Sequence, residues 1–142
     1  MSAIDAAKIA AYQDTDYHVS VRQNQFVLRI GQVSPDLLAL FAETGQGSAV
    51  FITAFNPEGT LQADAQNQAA HEALRSALSV LTDFVFEGEG QGTGDNSGWP
   101  AEKSFLALGV DREESARLGR RFRQDAVVYS GPDGVPELLI LR

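Results

Sequence analysis

Apolar residues recur along this chain of 142 residues in two periods, and the changes between them predict its elements. The run from Ala49-Val-Phe-Ile52 to Phe55, and the run Phe105-Leu-Ala-Leu-Gly-Val110, are apolar on both alternations, the pattern of central strands covered on both faces. Tyr17-His-Val-Ser-Val21 and Phe26-Val-Leu-Arg-Ile30 flank Gln23-Asn24 and read as a hairpin with asparagine in its turn. Phe84-Val-Phe86 reads as a short strand leading into a glycine-rich loop, Gly88 to Gly98. Ala126-Val-Val-Tyr129 and Pro136 to Leu141, separated by the turn signal Pro132-Asp133-Gly134, read as a second hairpin.

Helical spacing fills the intervals. A short helix is expected from Ala3 to Gln13. Ser34-Pro35-Asp36 opens a second, with serine as N-cap, proline at the first helical position and an acid in the first turn. Leu37, Leu38, Leu40 and Phe41 supply its stripe, and Gly45 ends it. The longest helix begins at Asp64, with Ala70, Leu74, Ala77, Leu78 and Leu81 on one side. Asp111 caps a fourth that runs through Phe122. The sum is an α+β fold: about six or seven strands in a single mixed, mainly antiparallel sheet with helices packed on it, in one domain spanning the chain.

Composition removes several classes of function. Hydrophobic residues make up 44% and charged residues 21%, the balance of a chain that buries a core. There is no cysteine, which excludes disulfides, thiolate nucleophiles and cysteine-ligated metals. His18 and His71 are too few for a histidine-rich metal site, and nothing calls for a cofactor. The first residues, with Asp5 and Lys8 among them, do not resemble a signal peptide, and no run approaches the roughly 18–20 apolar residues of a membrane span. A soluble cytoplasmic protein with no membrane partner is expected. The formal charge of −8 argues against nucleic acid as a partner. Against that trend, Arg112, Arg117, Arg120, Arg121 and Arg123 supply five of the eleven basic residues, which complements a helix C-terminus or offers an anion or acidic-partner site.

Candidate chemistry gathers at two corners. The first is Thr53-Ala-Phe-Asn56-Pro57, where a strand stops at polar residues, as it does at the ligand-bearing rim of open sheets. The second is Trp99-Pro-Ala-Glu102-Lys-Ser104, where Glu102 and Ser104 point to one face of the strand that follows and Lys103 to the other. Asn67 lies within about 20° of Leu74 and Leu78 on its helix, so its amide needs a partner: either the backbone between Thr53 and Asn56, or a ligand. His71 is a candidate general base with Glu72 or Glu102, or simply an exposed or bonded histidine. Gln124 completes a polar set of Thr53, Asn56, Asn67, Trp99, Glu102, Ser104 and Gln124. No catalytic residue is assigned: Ser104 lacks a nucleophile elbow. The glycine-rich loop lacks a phosphate-binding register, and its Asp95-Asn96-Ser97 triplet matches no calcium-loop spacing. It reads as a connector or lid with Trp99 buried at its far end.

In order, Thr53-Ala-x-Asn56-Pro57, Asn67, Trp99-Pro-x-Glu102-x-Ser104-Phe105 and Arg123-Gln124-x-Ala-Val-Val-Tyr129 resemble the bacterial family known as domain of unknown function 3293. The resemblance runs from about Tyr12 to the C-terminus and implies no activity, so it carries no catalytic residues to this chain. The residues leave two function classes. One is a protein that binds a polar or nucleotide-like small molecule at the sheet rim, with or without a reaction. The other is a non-enzymatic interaction or regulatory module that sets its acidic surface against a protein partner. An exposed edge such as the C-terminal hairpin also suits a homodimer.

Overall fold

The computed structural model describes residues 5–94 and 97–142. In chain order the elements are α1 (Ala6–Gln13), β1 (Thr15–Val21), β2 (Asn24–Leu28), α2 (Pro35–Thr44), β3 (Ala49–Thr53), a 3-10 turn (Pro57–Gly59), α3 (Asp64–Leu81), β4 (Val85–Gly92), β5 (Glu102–Leu108), α4 (Arg112–Arg121), β6 (Ala126–Ser130) and β7 (Glu137–Ile140). The strands form one seven-stranded sheet in the order β2-β1-β4-β5-β3-β6-β7, with every neighbouring pair antiparallel. The α+β architecture read from the pattern is the one observed. Among the described residues no helix is long and apolar enough to cross a membrane.

Alternation along the strands divides the core into two layers. On one face Val19, Phe51, Leu106, Leu108 and Val128 meet Leu37, Leu40 and Phe41 of α2. On the other, Val50, Ile52, Phe105 and Ala107 meet Leu74 and Leu78 of α3 and Leu118 of α4. Leu74 and Leu78 are fully buried, and each such side chain contributes about 1.5–3 kcal/mol by leaving water. Local signals set the helix ends. Ser34 Oγ accepts from Leu37 N at 3.1 Å, and Gly45 closes α2 in the left-handed conformation that glycine favours. Asp111 Oδ1 accepts from Glu114 N at 2.8 Å at the start of α4.

Three expectations are corrected. The first hairpin turns on Arg22 and Gln23, not on asparagine: Val21 pairs with Asn24, which already belongs to β2, and Arg22 takes φ 56°. Gly88 to Gly92 is not a loop or lid. It is the second half of β4, bonded to β1 on one side and β5 on the other. The reason is contact distance: a Cβ on Gly88 would lie 2.7 Å from the His18 carbonyl oxygen and 2.8 Å from Phe51 Cε2, so only glycine lets the Phe51 ring and the β1 backbone approach. Third, Trp99 is not a buried anchor, being 41% exposed. The expected helix start at Ala3, and Asp95 and Asn96 of the acidic triplet, lie outside the described residues.

Gly88 and Gly90, successive glycines on the inner face of β4, have opposite surroundings, and this yields a first prediction. Gly88→Ala forces backbone apart and is expected to lower stability by about 2–3 kcal/mol. A Cβ on Gly90 finds nothing closer than Thr15 Cγ2 at 3.9 Å, so Gly90→Ala is expected to stay within about 0.5 kcal/mol of wild type. Urea denaturation of the two variants checks the contrast; equal losses would contradict it.

Candidate functional site

The first corner is built from hydrogen bonds that end β3. Thr53 Oγ1 donates to the Lys103 carbonyl at 2.7 Å and accepts from Phe55 N at 3.0 Å, which turns the chain out of the sheet. Asn56 then takes φ 48°, a left-handed conformation that asparagine tolerates better than most residues. Its buried amide is clasped by Asn67 on the first turns of α3. Asn67 Oδ1 accepts from Asn56 N at 2.9 Å, and Asn67 Nδ2 donates to Asn56 Oδ1 at 3.0 Å. Gln62 joins both, its N donating to Asn56 Oδ1 at 3.1 Å and its Nε2 to Asn67 Oδ1 at 2.8 Å. With Asn56 Oδ1 occupied by two donors, Asn56 Nδ2 points the other way.

There it donates to Glu102 Oε2 at 2.8 Å, and Trp99 Nε1 donates to the same oxygen at 3.1 Å. Glu102 is half-buried at the start of β5, and burial raises its carboxyl above the usual carboxylate range, against the two donated bonds that work in the opposite direction. Both bonded partners are neutral. Among the described residues no cation pairs with Glu102, and Oε1 has no bonded partner.

The facing edge comes from the link between α4 and β6. Gln124 Nε2 donates to the carbonyls of Phe55 at 3.2 Å and Phe122 at 3.3 Å, stapling this link to the first corner. Arg123 adds a bond to Glu58 Oε2 at 2.6 Å. Asp125, buried beside Gln124, accepts from Lys8 Nζ at 3.1 Å and from Arg142 Nη1 at 2.6 Å. Lys8 belongs to α1, which buries none of its own side chains and is held over the sheet by polar ties: Tyr17 Oη donates to the Tyr12 carbonyl at 2.6 Å, and Thr15 Oγ1 to that of Ala11 at 2.7 Å.

Between α1 and the sheet lies a cavity of about 270 Å³. Six residues of the predicted polar set line it: Thr53, Asn56, Trp99, Glu102, Ser104 and Gln124. Asn67 does not; it sits behind Asn56 and fixes that residue's orientation. Tyr12, Tyr17 and Phe51 supply aromatic wall, and Asp125 and Lys8 a second polar edge. The empty volume has a simple cause. Gly90 and Gly92 present no side chain on this face of β4, between the larger residues of β1 and β5. Sequence reasoning missed Lys8, Tyr12, Tyr17, Asp125 and these glycines. The alternation of glycine at 88, 90 and 92 with Glu87, Glu89 and Gln91 was the available signal for a strand with one bare face.

Most donor groups on the wall are already engaged. The hydroxyls of Thr15, Tyr17 and Thr53 donate to carbonyls as described, and Ser104 Oγ donates to the Glu102 carbonyl at 3.0 Å. Asn56 and Trp99 serve Glu102, Gln124 Nε2 serves two carbonyls, and Lys8 serves Asp125. Among the described residues the Tyr12 hydroxyl is left uncommitted, and burial raises its pKa. Neither Thr53 nor Ser104 has a base against its oxygen.

His71 is not part of this cavity. It lies on the α3 side of the sheet, buried, stacked on Phe105 with ring centroids 4.2 Å apart and edge-on to Phe55 at 5.8 Å. Its Nδ1 is buried with no hydrogen-bond partner among the described residues, and burial, then the charge of Arg75, holds its pKa below the ordinary value. Three of the five clustered arginines are in ion pairs: Arg112 with Glu137, Arg117 with Glu114 and Arg123 with Glu58. Among the described residues, no group of three or more His, Asp or Glu side chains is placed to hold a metal ion.

Two substitutions probe this wiring. Asn67→Ala strips the buried Asn56 N–H of its acceptor and is expected to lower stability by about 2 kcal/mol in urea denaturation. Glu102→Gln keeps an acceptor for Asn56 and Trp99 but removes the charge. Because the folded carboxyl titrates above its unfolded value, the charged form is penalised in the fold, and the wild type loses stability as pH rises through that window. Glu102→Gln is therefore expected to melt higher than wild type at neutral pH, with the gain disappearing as pH falls past about 4. A variant that melts lower at neutral pH would show that the charge is satisfied in the fold.

A family model described as a protein of unknown function, DUF3293, matches residues 52–127, more than half of the 142-residue chain. No curated protein and no solved structure matches it. The matched span begins in β3, ends in β6 and contains every residue of the predicted polar set, whereas Lys8, Tyr12 and Tyr17 precede it. The chain belongs to the DUF3293 family.

Proposed function

We propose that this protein binds a small polar molecule in the cavity between α1 and the sheet, with Glu102 as the principal polar contact. One observation carries the reading: a half-buried carboxylate on the cavity wall is fixed by Asn56 and Trp99 through one oxygen while the other stays uncommitted. At about 270 Å³ the cavity lies near the lower end of the range of small-molecule sites. The mixture of aromatic wall and few polar groups is the usual make-up of small-molecule sites. The hydroxyls of Thr53 and Ser104 are spent on backbone carbonyls, which supports binding in preference to covalent chemistry. The rival reading, an acidic interaction module, needs the whole polar set to be committed to backbone; Thr53 and Gln124 Nε2 are, but Glu102 is not.

The test uses the bare strand. Gly90→Val places a branched side chain in the cavity at a position where a Cβ meets no backbone, so the space is filled, and retention of the fold is checked by the circular dichroism spectrum of the variant. In a thermal-shift screen of amino acids, nucleobases, amines and small acids, a ligand at about 100 times its Kd stabilises wild type by about 2.7 kcal/mol. That stabilisation is expected to vanish in Gly90→Val. A ligand that stabilises both proteins equally binds elsewhere and removes the proposal.

A further inference from the structure

The composition of the cavity wall narrows the class of ligand, provided that the cavity is the binding site proposed above. The wall has committed most of its donor groups. Apart from the Tyr12 hydroxyl, every side-chain donor group on it already donates within the protein, mostly to backbone carbonyls or to Glu102 itself. The Lys8 ammonium and the Asn56 amide keep N–H groups beyond those bonds, and acceptor capacity is open at Glu102 Oε1 and the Gln124 amide oxygen, which have no bonded partner among the described residues. A ligand that brings N–H or O–H groups therefore finds an open acceptor at Glu102 Oε1.

Charge makes the choice sharper. The two acids on the wall have opposite circumstances. Asp125 is held by Lys8 and Arg142, so that edge is already balanced. Glu102 is held only by neutral groups and lies against aromatic rings, a surrounding in which a lone charge is unfavourable until a counter-charge arrives. An anionic ligand such as a phosphate would meet that carboxylate, and the lining cation, Lys8, is already paired with Asp125. A cationic ligand meets both the carboxylate and a wall lined by Tyr12, Tyr17 and Trp99, aromatic rings whose π-faces attract positive charge.

We infer that the cavity takes a small organic cation: a protonated amine on an apolar body, its N–H groups bonded to Glu102 and its body laid against the rings. The amine donates to Glu102 Oε1, the oxygen that Asn56 and Trp99 leave open. The apolar body lies toward Phe51 over the bare backbone of Gly90.

Calorimetry with three matched pairs of probes tests this on the full chain. Phenethylamine and hexylamine are the cations, phenylpropionate and hexanoate the anions, and phenylethanol and hexanol the neutral bodies. The amines are expected to bind and the carboxylates not, with the alcohols weaker than the amines. Glu102→Gln is expected to weaken the amines by on the order of tenfold to a hundredfold, the value of a hydrogen bond to a charged group. Location is read independently of that variant from the wild-type amide resonances of Gly90 and Gly92, which are expected to move with the amines. Carboxylates or alcohols that bind as tightly as the amines and move the same resonances would overturn the cation inference and leave the binding site standing. Amines that bind without moving those resonances would place the contact elsewhere and overturn it too. Silence from the amines would overturn the cation inference, and the binding site itself stands or falls by the Gly90→Val screen.

Discussion

The reciprocal amide bonds between Asn56 and Asn67 determine how Asn56 meets Glu102 on the cavity wall. Asn56 sits in a left-handed conformation immediately before proline, a combination that local backbone energetics do not favour. It is held there from α3: Asn67 accepts its N–H and donates to its side-chain oxygen, and Gln62 adds a second donor. Those bonds leave the Asn56 Nδ2 one direction, toward Glu102. The carboxylate is therefore oriented by a relay that begins on the far side of the corner, on a helix whose next turns pack Leu74 and Leu78 into the opposite layer of the core. Stability of the fold and geometry of the site meet in one pair of asparagines.

The second determinant is an omission of side chains. A glycine inside a strand is unfavourable by roughly 0.5–1 kcal/mol relative to alanine, and β4 carries three on alternate positions. Gly88 is required by contact, since Phe51 and the β1 backbone occupy the space a Cβ would need. At Gly90 the same argument fails, because the nearest atoms are at ordinary contact distance. The bare stretch persists where packing does not demand it, and the cavity opens there. The strand tolerates it because both of its edges are hydrogen-bonded, to β1 and to β5.

Much of this was legible in the sequence because it is local. The serine cap and left-handed glycine of α2, the aspartate cap of α4, the doubly apolar central strands and the turn at Pro132-Asp133-Gly134 are all specified by a few neighbouring residues. Six of the seven residues in the polar set do line one cavity, since strand ends at a sheet rim converge once the strands are adjacent. The glycine run was misread because glycine has no side chain to display an alternation, and only the outward Glu87, Glu89 and Gln91 showed the period. Tyr12 and Asp125 escaped for a different reason: their roles come from contacts between distant parts of the chain, such as the Lys8–Asp125 bond across 117 positions. Nothing in either local segment announces such a partner.

The difference between the two acids on the wall bears on what the site is for. Asp125 is buried and paired with two cations, the arrangement expected of a charge whose task is to tie α1 and the C-terminus to the sheet. Glu102 serves Asn56 and Trp99 through a single oxygen, and a neutral glutamine carbonyl in the same place would accept both bonds without the penalty of a half-buried charge. The structural role alone therefore does not account for glutamate. The negative charge and the second oxygen have no use inside the described fold, and both face a space that the glycines of β4 keep open. A group that the fold orients with care and leaves unneutralised is what supports the proposal of a ligand contact there.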